Sequence, residues 1–320
     1  MQKKKVVILN HNGGRLANQL WPFMSAYAYC LENGYILDNQ SFFEYAPFFN
    51  FKSDNFLVNL LFFKLYNYIK FLLPLKIRGK FYRFIYKIYC YYVKKVESNK
   101  RNIVIYAPDS ADPIVHFLLP TKNSDIDLDE FESSRDQSKV YLDGWLFRNP
   151  IGLNKYHKEI VDYFKPKPSI EKKVKDLIFS LKNKYKYVIG VHVRQGDYKT
   201  WMDGKLYFSQ DKIKLFLDDL ILNFQLNKDE TVFLLCSDGQ IDDSVFLGLN
   251  IAHSIGGVAE DLFVLACSDL IIGSDSTFGA FASYYGNIPF IVFGEEIDWD
   301  YYKDKKEYFE NKYNKMVYYK

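Results

Sequence analysis

Three short stretches of this chain bring cationic, hydroxyl and carboxylate side chains together where a ligand could meet them. The first is VHVRQGDY at 191–198, directly after the apolar run YVIG. His192, Arg194 and Asp197 follow a strand-like run, and charged groups there are costly to hold unless something uses them. Arginine offers a planar fork of donors that matches a phosphate pair and stays charged at any relevant pH. Asp197 could hold that fork or accept a proton. The plainer alternative is an Arg–Asp pair closing a loop, with His192 a hydrogen-bonded core histidine.

The second stretch is GGRLANQLW at 13–21. Gly13 and Gly14 allow close approach of backbone to a ligand. Arg15, Asn18 and Gln19 then stand at a helix start, where backbone N–H groups favour anions. The third is DLIIGSDSTFGAFASYYG at 269–286, in which Ser274, Asp275, Ser276 and Thr277 lead from a strand into a helix. Small hydroxyls and amides at such a start form a phosphate cradle, and they equally form an N-cap. The two roles are compatible. Neither a GxGxxG fingerprint nor a P-loop occurs.

These residues need strands and helices to place them. Near-continuous apolar runs at 187–193, 231–237, 269–274 and 288–294 read as parallel strands covered on both faces. Helical patterns such as SQDKIKLFLDDLILNF and AEDLFVLAC alternate with them, the signature of a doubly wound α/β domain. The first half carries similar runs at 4–10, 34–39, 102–108 and 139–146, with a helix predicted over 18–33 and ended by Gly34. The two prolines of YFKPKPSIEKK (163–173) mark a linker. Two domains are therefore expected, 1–165 and 166–320.

A net charge of +3 is too small to argue for nucleic acid as a partner. Cys30, Cys90, Cys236 and Cys267 show no zinc spacing, and the last two sit in apolar runs where a buried thiol is expected. Only Val6 to Leu9 follow the basic start before polar residues return, too short for a signal-peptide core. The expected location is cytoplasmic.

The segment 56–96 stands apart. It holds nine Lys and Arg, no Asp or Glu, and many Phe, Tyr and Leu. A transmembrane reading is opposed by Lys64 and Lys70, each costing roughly 2.5–3.5 kcal/mol near the centre of a span. Two readings remain: an amphipathic segment in peripheral contact with an anionic inner membrane face, or a helical arm packed on the N-terminal domain with its lysines in water.

The three chemical stretches together resemble a known family. HVRQGDY resembles the HxRRxDY motif of the fucosyltransferase superfamily, and GGRLANQL resembles its GGxGNQ element. DLFVLACSDLIIGSDSTFGAFASYYG is similar to the DLxLMSxCxxxIIxNSTFSWWxAxL block, and VYLDGWLFRNP (140–150) to the YLxGYxQS segment. Order and spacing match the bacterial α-1,2-fucosyltransferase-like proteins, glycosyltransferase family 11, over most of the chain outside 56–96.

That resemblance implies a GT-B fold, two Rossmann-like domains facing across a cleft, the first on the acceptor side and the second binding a nucleotide sugar. It implies GDP-fucose as donor, inversion at the sugar carbon, no cofactor and no metal. The acceptor would be a surface glycan (O-antigen, capsule or lipooligosaccharide), lipid-linked glycans included. Arg194 would neutralise the leaving diphosphate, with His192 and Asp197 flanking the donor. Ser276 and Thr277, beside Asp275, would meet the phosphates, and Arg15 and Asn18 would reach phosphate and sugar from the facing domain. Asp197, Asp203 and His11 are candidates for the general base.

There are four departures from the family pattern. Gln195 replaces the second arginine, which removes a cation beside the donor. Asp275 replaces an asparagine, Gly279-Ala280-Phe281 replaces SWW, and Phe147-Arg148 replaces Gln-Ser. These changes leave open a related transferase using another nucleotide sugar, or a silent sugar-nucleotide-binding scaffold. A metal-dependent reading would use Asp125, Asp127 and Asp129, or Asp298 and Asp300.

Overall fold

The computed structural model describes residues 5–10, 14–51, 53, 55–97, 103–106, 117–118, 139–143 and 147–303. The chain divides into two compact units between Lys167 and Pro168.

The first unit is built on a parallel sheet of four strands: β1 (Lys5–Asn10), β2 (Ile36–Asp38), β3 (Ile103–Tyr106) and β5 (Lys139–Asp143), in the order β2-β1-β5-β3. A small parallel pair joins β4 (Phe117–Leu118) to β6 (Phe147–Arg148). β1 feeds α1 (Leu16–Asn33), whose side chains are buried on most of its circumference, as expected for a helix enclosed by its own unit. Gly34 ends it at φ 68°, a left-handed turn that glycine takes without steric cost.

The basic aromatic segment is helical. It runs through α2 (Phe56–Val58), a π-helical stretch (Asn59–Tyr66), α3 (Asn67–Leu72) and α4 (Leu75–Glu97). One side of it is buried: Val58, Phe62, Tyr66, Tyr82, Tyr86, Tyr89 and Val93 pack with Val7 of β1 and Phe43. Lys70 pairs with Glu44 at 2.7 Å, and the Tyr66 hydroxyl also donates to Glu44. No helix among the described residues is long and apolar enough to cross a membrane. Short helices α5 (Pro150–Lys155) and α6 (His157–Tyr163) close the unit.

The second unit opens with α7 (Pro168–Lys182) and holds a five-stranded parallel sheet. Its strands are β7 (Tyr187–Val193), β8 (Thr231–Ser237), β9 (Ile251–His253), β10 (Leu270–Gly273) and β11 (Phe290–Val292), in the order β11-β10-β7-β8-β9. Helices α8 (Gln210–Asn223), α9 (Val258–Ala266), α10 (Thr277–Gly286) and α11 (Trp299–Lys303) connect or follow them. Numbered within the unit, the order is 3-2-1-4-5, so the winding reverses between β7 and β10. Such a reversal opens a crevice at the carboxyl ends of the two central strands, the usual ligand position in open α/β sheets.

Period-two alternation along β7 decides what enters that crevice. Ile189, Val191 and Val193 join the core formed with Ile213, Phe216 and Leu217 of α8. A buried side chain of this size contributes about 1.5–3 kcal/mol, so the alternation is strongly enforced. His192 therefore projects from the opposite face, the one carrying α10.

Candidate functional site

Parallel register aligns the ends of three strands. His192 lies opposite Gly273 of β10 and Cys236 of β8, and Val193 lies opposite Ser237. A Cβ on Gly273 would meet the His192 carbonyl oxygen at 2.5 Å, so only glycine permits this approach. The residues that follow each strand, Arg194, Asp238 and Ser274, are thus brought to one place.

Arg194 is held from several sides. Its backbone N–H donates to Ser274 Oγ at 3.2 Å. Its guanidinium Nη1 stands 3.4 Å from Asp238 Oδ2 and lies over the Tyr198 ring, 5.2 Å from the centroid. The Tyr198 hydroxyl donates to the Asp275 carbonyl at 2.7 Å, which ties the loop after β7 to the loop after β10. With 15 % of its side chain exposed, Arg194 presents a cation whose orientation is fixed.

Asp238 is a carboxylate that pairs with Arg194 and that the sequence reading did not name. Its Oδ1 accepts the N–H groups of Gln195 at 2.7 Å and Gly196 at 3.0 Å, while Oδ2 faces Arg194. Asp197 begins a short 3-10 turn, Asp197–Lys199, and its side chain lies outside the described ones. Asp203 is exposed and adopts φ 57°, a left-handed conformation that aspartate tolerates in a turn.

Gln195 does not leave a gap beside Arg194. It is buried, its amide donates to the Phe208 carbonyl at 3.1 Å, and its Oε1 accepts from the Tyr207 hydroxyl at 3.3 Å. An arginine could donate to Phe208 but could not accept from Tyr207. The expected loss of a donor-facing cation therefore gives way to a buried brace.

His192 is buried, stacks on Phe278 and has Nδ1 3.2 Å from Ser276 Oγ. Burial, then the Arg194 charge, lower its pKa from 6.5 to about 4, so the ring is neutral at physiological pH. It orients rather than neutralises. Ser276 caps α10, accepting from the Gly279 N–H at 3.3 Å, and Thr277 opens the helix. The positive end of the α10 dipole consequently lies beside Arg194.

A second group escaped the sequence reading. A cavity of about 430 Å³, in the range of small-molecule sites, lies past β8 and β9 and is lined by Ser237, Gly239, Gln240, His253, Ser254 and Asp261. Asp261 Oδ1 accepts from Ser254 Oγ at 2.5 Å and from the Gly256 N–H at 3.1 Å. Burial raises its pKa, against those two bonds. The signal was present as a carboxylate near the start of α9, in a run otherwise read only as a helix.

In the first unit Arg15 is the N-cap of α1, and Asn18 packs against Gly14, where an added Cβ would meet it at 2.8 Å. Gln19, also named from the sequence, is buried and donates to the Gly14 carbonyl at 2.6 Å and to the Tyr82 hydroxyl at 3.3 Å. It shapes the turn from within. His11, Gly13 and the acidic run at 125–129 lie outside the described residues. Asp298 caps α11 by accepting the Tyr301 N–H at 3.0 Å. Cys267, expected in the core, is exposed at the end of α9, whereas Cys236 is buried.

Two parallel-sheet units, the second with its loops at a switch point, make a GT-B fold. Within that fold, residues 154–296, which include His192, Arg194, Asp238, Asp261 and Ser276, match the model of glycosyl transferase family 11. The chain is similar in fold to POFUT1 crystallised with GDP, at 16 % identity and a TM-score of 0.51, over 92 % of this chain and 99 % of that one. The fucosyltransferase NodZ from Bradyrhizobium aligns at 14 % identity and a TM-score of 0.48, over 93 % of this chain and 98 % of the other. No curated protein matches the sequence.

Proposed function

We propose that this glycosyltransferase is a fucosyltransferase that uses GDP-fucose, inverts the sugar carbon and forms an α-1,2 linkage on a surface glycan. The observation that carries the donor half is the Arg194 guanidinium, oriented by Asp238 and Tyr198 beside the start of α10. A departing nucleoside diphosphate needs compensating charge in place before its bond breaks, since preorganised groups stabilise a transition state without reorganising. Arg194 supplies the cation, while Ser276, Thr277 and the first amides of α10 supply donors. Asp261 fits a base with an N–H edge: Oδ1 is engaged by Ser254 and Gly256, leaving Oδ2 as the acceptor. Guanine has that edge, which agrees with the GDP bound by the POFUT1 structure similar in fold.

In the reaction, the acceptor hydroxyl oxygen forms the new bond to the sugar carbon as the bond to the β-phosphate oxygen breaks. The bonding pair leaves with GDP against Arg194, and a carboxylate takes the acceptor proton. Asp197 and Asp203 are the proposed bases. Protein groups alone meet the diphosphate in this scheme, so turnover should persist in EDTA.

The deciding experiment is a thermal-shift comparison of GDP, UDP and CMP, followed by transfer assays with the matching sugar nucleotides. A ligand bound at 100 times its Kd stabilises by roughly 2.7 kcal/mol, a readily measured shift. Stabilisation by GDP and fucose transfer are expected. A shift with UDP or CMP and none with GDP would refute the donor assignment.

A further inference from the structure

The buried side of the helical arm at 56–97 accounts for its packing, but not for its outer surface. Among the described residues, exposed large apolar side chains concentrate there, at Phe56, Leu57, Leu60, Leu61, Leu65 and Tyr68, and on through α4. In α4 the pattern is regular. Tyr82, Tyr86, Tyr89 and Val93 form the buried stripe, while Ile77, Phe84, Ile88 and Tyr91 recur on the opposite side and are exposed. Beside that outer apolar stripe runs a basic one, Lys76, Lys80, Arg83 and Lys87, each exposed and spaced three or four residues apart. A helix buried on one side and solvated on the other needs no second apolar stripe.

The corner between α3 and α4 is more apolar still. Phe71, Leu72 and Leu75 are 66 %, 69 % and 78 % exposed. Its backbone is nevertheless closed: Arg78 Nε donates to the Leu73 carbonyl at 2.9 Å and Arg78 Nη2 to the Phe71 carbonyl at 3.3 Å. The Leu73 N–H donates to the Lys70 carbonyl at 3.2 Å. Internally satisfied carbonyls are what a corner entering an apolar medium requires.

We propose that this arm is a docking surface for an anionic lipid bilayer. The Phe71–Leu75 corner enters the boundary between headgroups and acyl chains, and the basic stripe of α4 lies against the headgroups. The charge pattern selects this occupant. Residues 55–96 contain nine Lys and Arg and no carboxylate, so two copies docked through this face would set like charges together. An anionic surface instead attracts each cation near it. No described helix can span a bilayer, so the arm lies on the membrane. The inference is independent of the donor assignment.

The test is co-sedimentation of the full chain with vesicles of phosphatidylcholine, alone or mixed with phosphatidylglycerol. Two variants accompany it: F71S/L72S/L75S at the corner and K76Q/K80Q/R83Q/K87Q on the stripe. Every substituted position is exposed and none belongs to the buried stripe, so an unchanged melting temperature certifies each variant as folded. Wild type should bind the anionic vesicles at least roughly tenfold more strongly than neutral ones, and each variant should lose about as much. Excess glycerol phosphate should leave binding intact, because a headgroup phosphate alone does not reach the corner. Equal partitioning of wild type and corner variant, full displacement by glycerol phosphate, or a vesicle-free dimer that the corner variant abolishes would each overturn the proposal.

Discussion

Asp238 divides its carboxylate between two tasks, with Oδ1 accepting the backbone N–H groups of Gln195 and Gly196 and Oδ2 standing 3.4 Å from Arg194 Nη1. The loop carrying the cation and the cation itself are thus set by one side chain. Asp238→Asn keeps an oxygen for the backbone but loses the charge opposite Arg194. A fall in kcat of about tenfold with little change in melting temperature is expected, because charge-assisted contacts are roughly twice as strong as neutral ones. A fall in stability with kcat intact would make Asp238 a loop brace and nothing more.

Arg194 itself should be less forgiving. Arg194→Ala should lower kcat about a hundredfold or more, the usual cost of removing one preorganised group. Arg194→Lys keeps the charge but not the planar fork over Tyr198, and should recover only part of that loss. Single-turnover transfer measures both; full activity in the lysine variant would show that geometry at this position is unimportant.

Neutral His192 makes stability depend on pH. Its folded pKa, about 4, lies below the ordinary 6.5, so between these values the unfolded chain binds more protons than the folded one. Stability from this group is therefore complete above about pH 6.5 and is lost as pH falls toward 4, by on the order of 3 kcal/mol. His192→Gln, which can still bond Ser276, should flatten that slope in denaturant titrations. An unchanged slope would place the acid sensitivity elsewhere.

How much of this was readable beforehand follows the range of the interactions. β7 and β8 coincide with the apolar runs at 187–193 and 231–237 because both faces of those strands are covered. β9 carries no such run, being three residues long with half-exposed and exposed side chains. Local spacing offers Asp197 as a partner for Arg194, three residues along the chain. Asp238, which does pair with Arg194, is brought there by the pairing of Val193 with Ser237, and parallel register is not written in local spacing. The helical arm was legible as amphipathic, but its two apolar faces became distinct only once the buried one was known.

Gln195 separates a lost charge from a gained brace. If the position lacked only a cation, Gln195→Arg would raise activity toward that of the family pattern. The buried amide instead bonds Phe208 and Tyr207, and an arginine there would leave the Tyr207 hydroxyl without its acceptor. The expected result is a stability loss of about 1–3 kcal/mol, the cost of an unsatisfied buried group, with no gain in kcat. Thermal melts and transfer rates decide it, and a faster, equally stable variant would restore the missing-cation reading.

Asp261 offers the sharpest test of nucleotide choice. Its Oδ1 already serves Ser254 and Gly256, so the base proposed for the adjoining cavity would meet Oδ2. Asp261→Asn replaces one of the two oxygens by an NH2 donor. If the amide keeps its oxygen on Ser254 and Gly256, the donor faces the N–H edge of guanine, and a site built to accept then repels. GDP affinity should fall at least roughly tenfold, since an unpaired polar group at a buried contact costs about 1–3 kcal/mol. The loss should appear in KM for the donor far more than in kcat, because the base does not change during transfer. Isothermal titration with GDP and with GMP separates this from any effect at the diphosphate: both nucleotides should weaken together. Weakening of GDP alone would move Asp261 away from the base and leave the cavity without its proposed ligand.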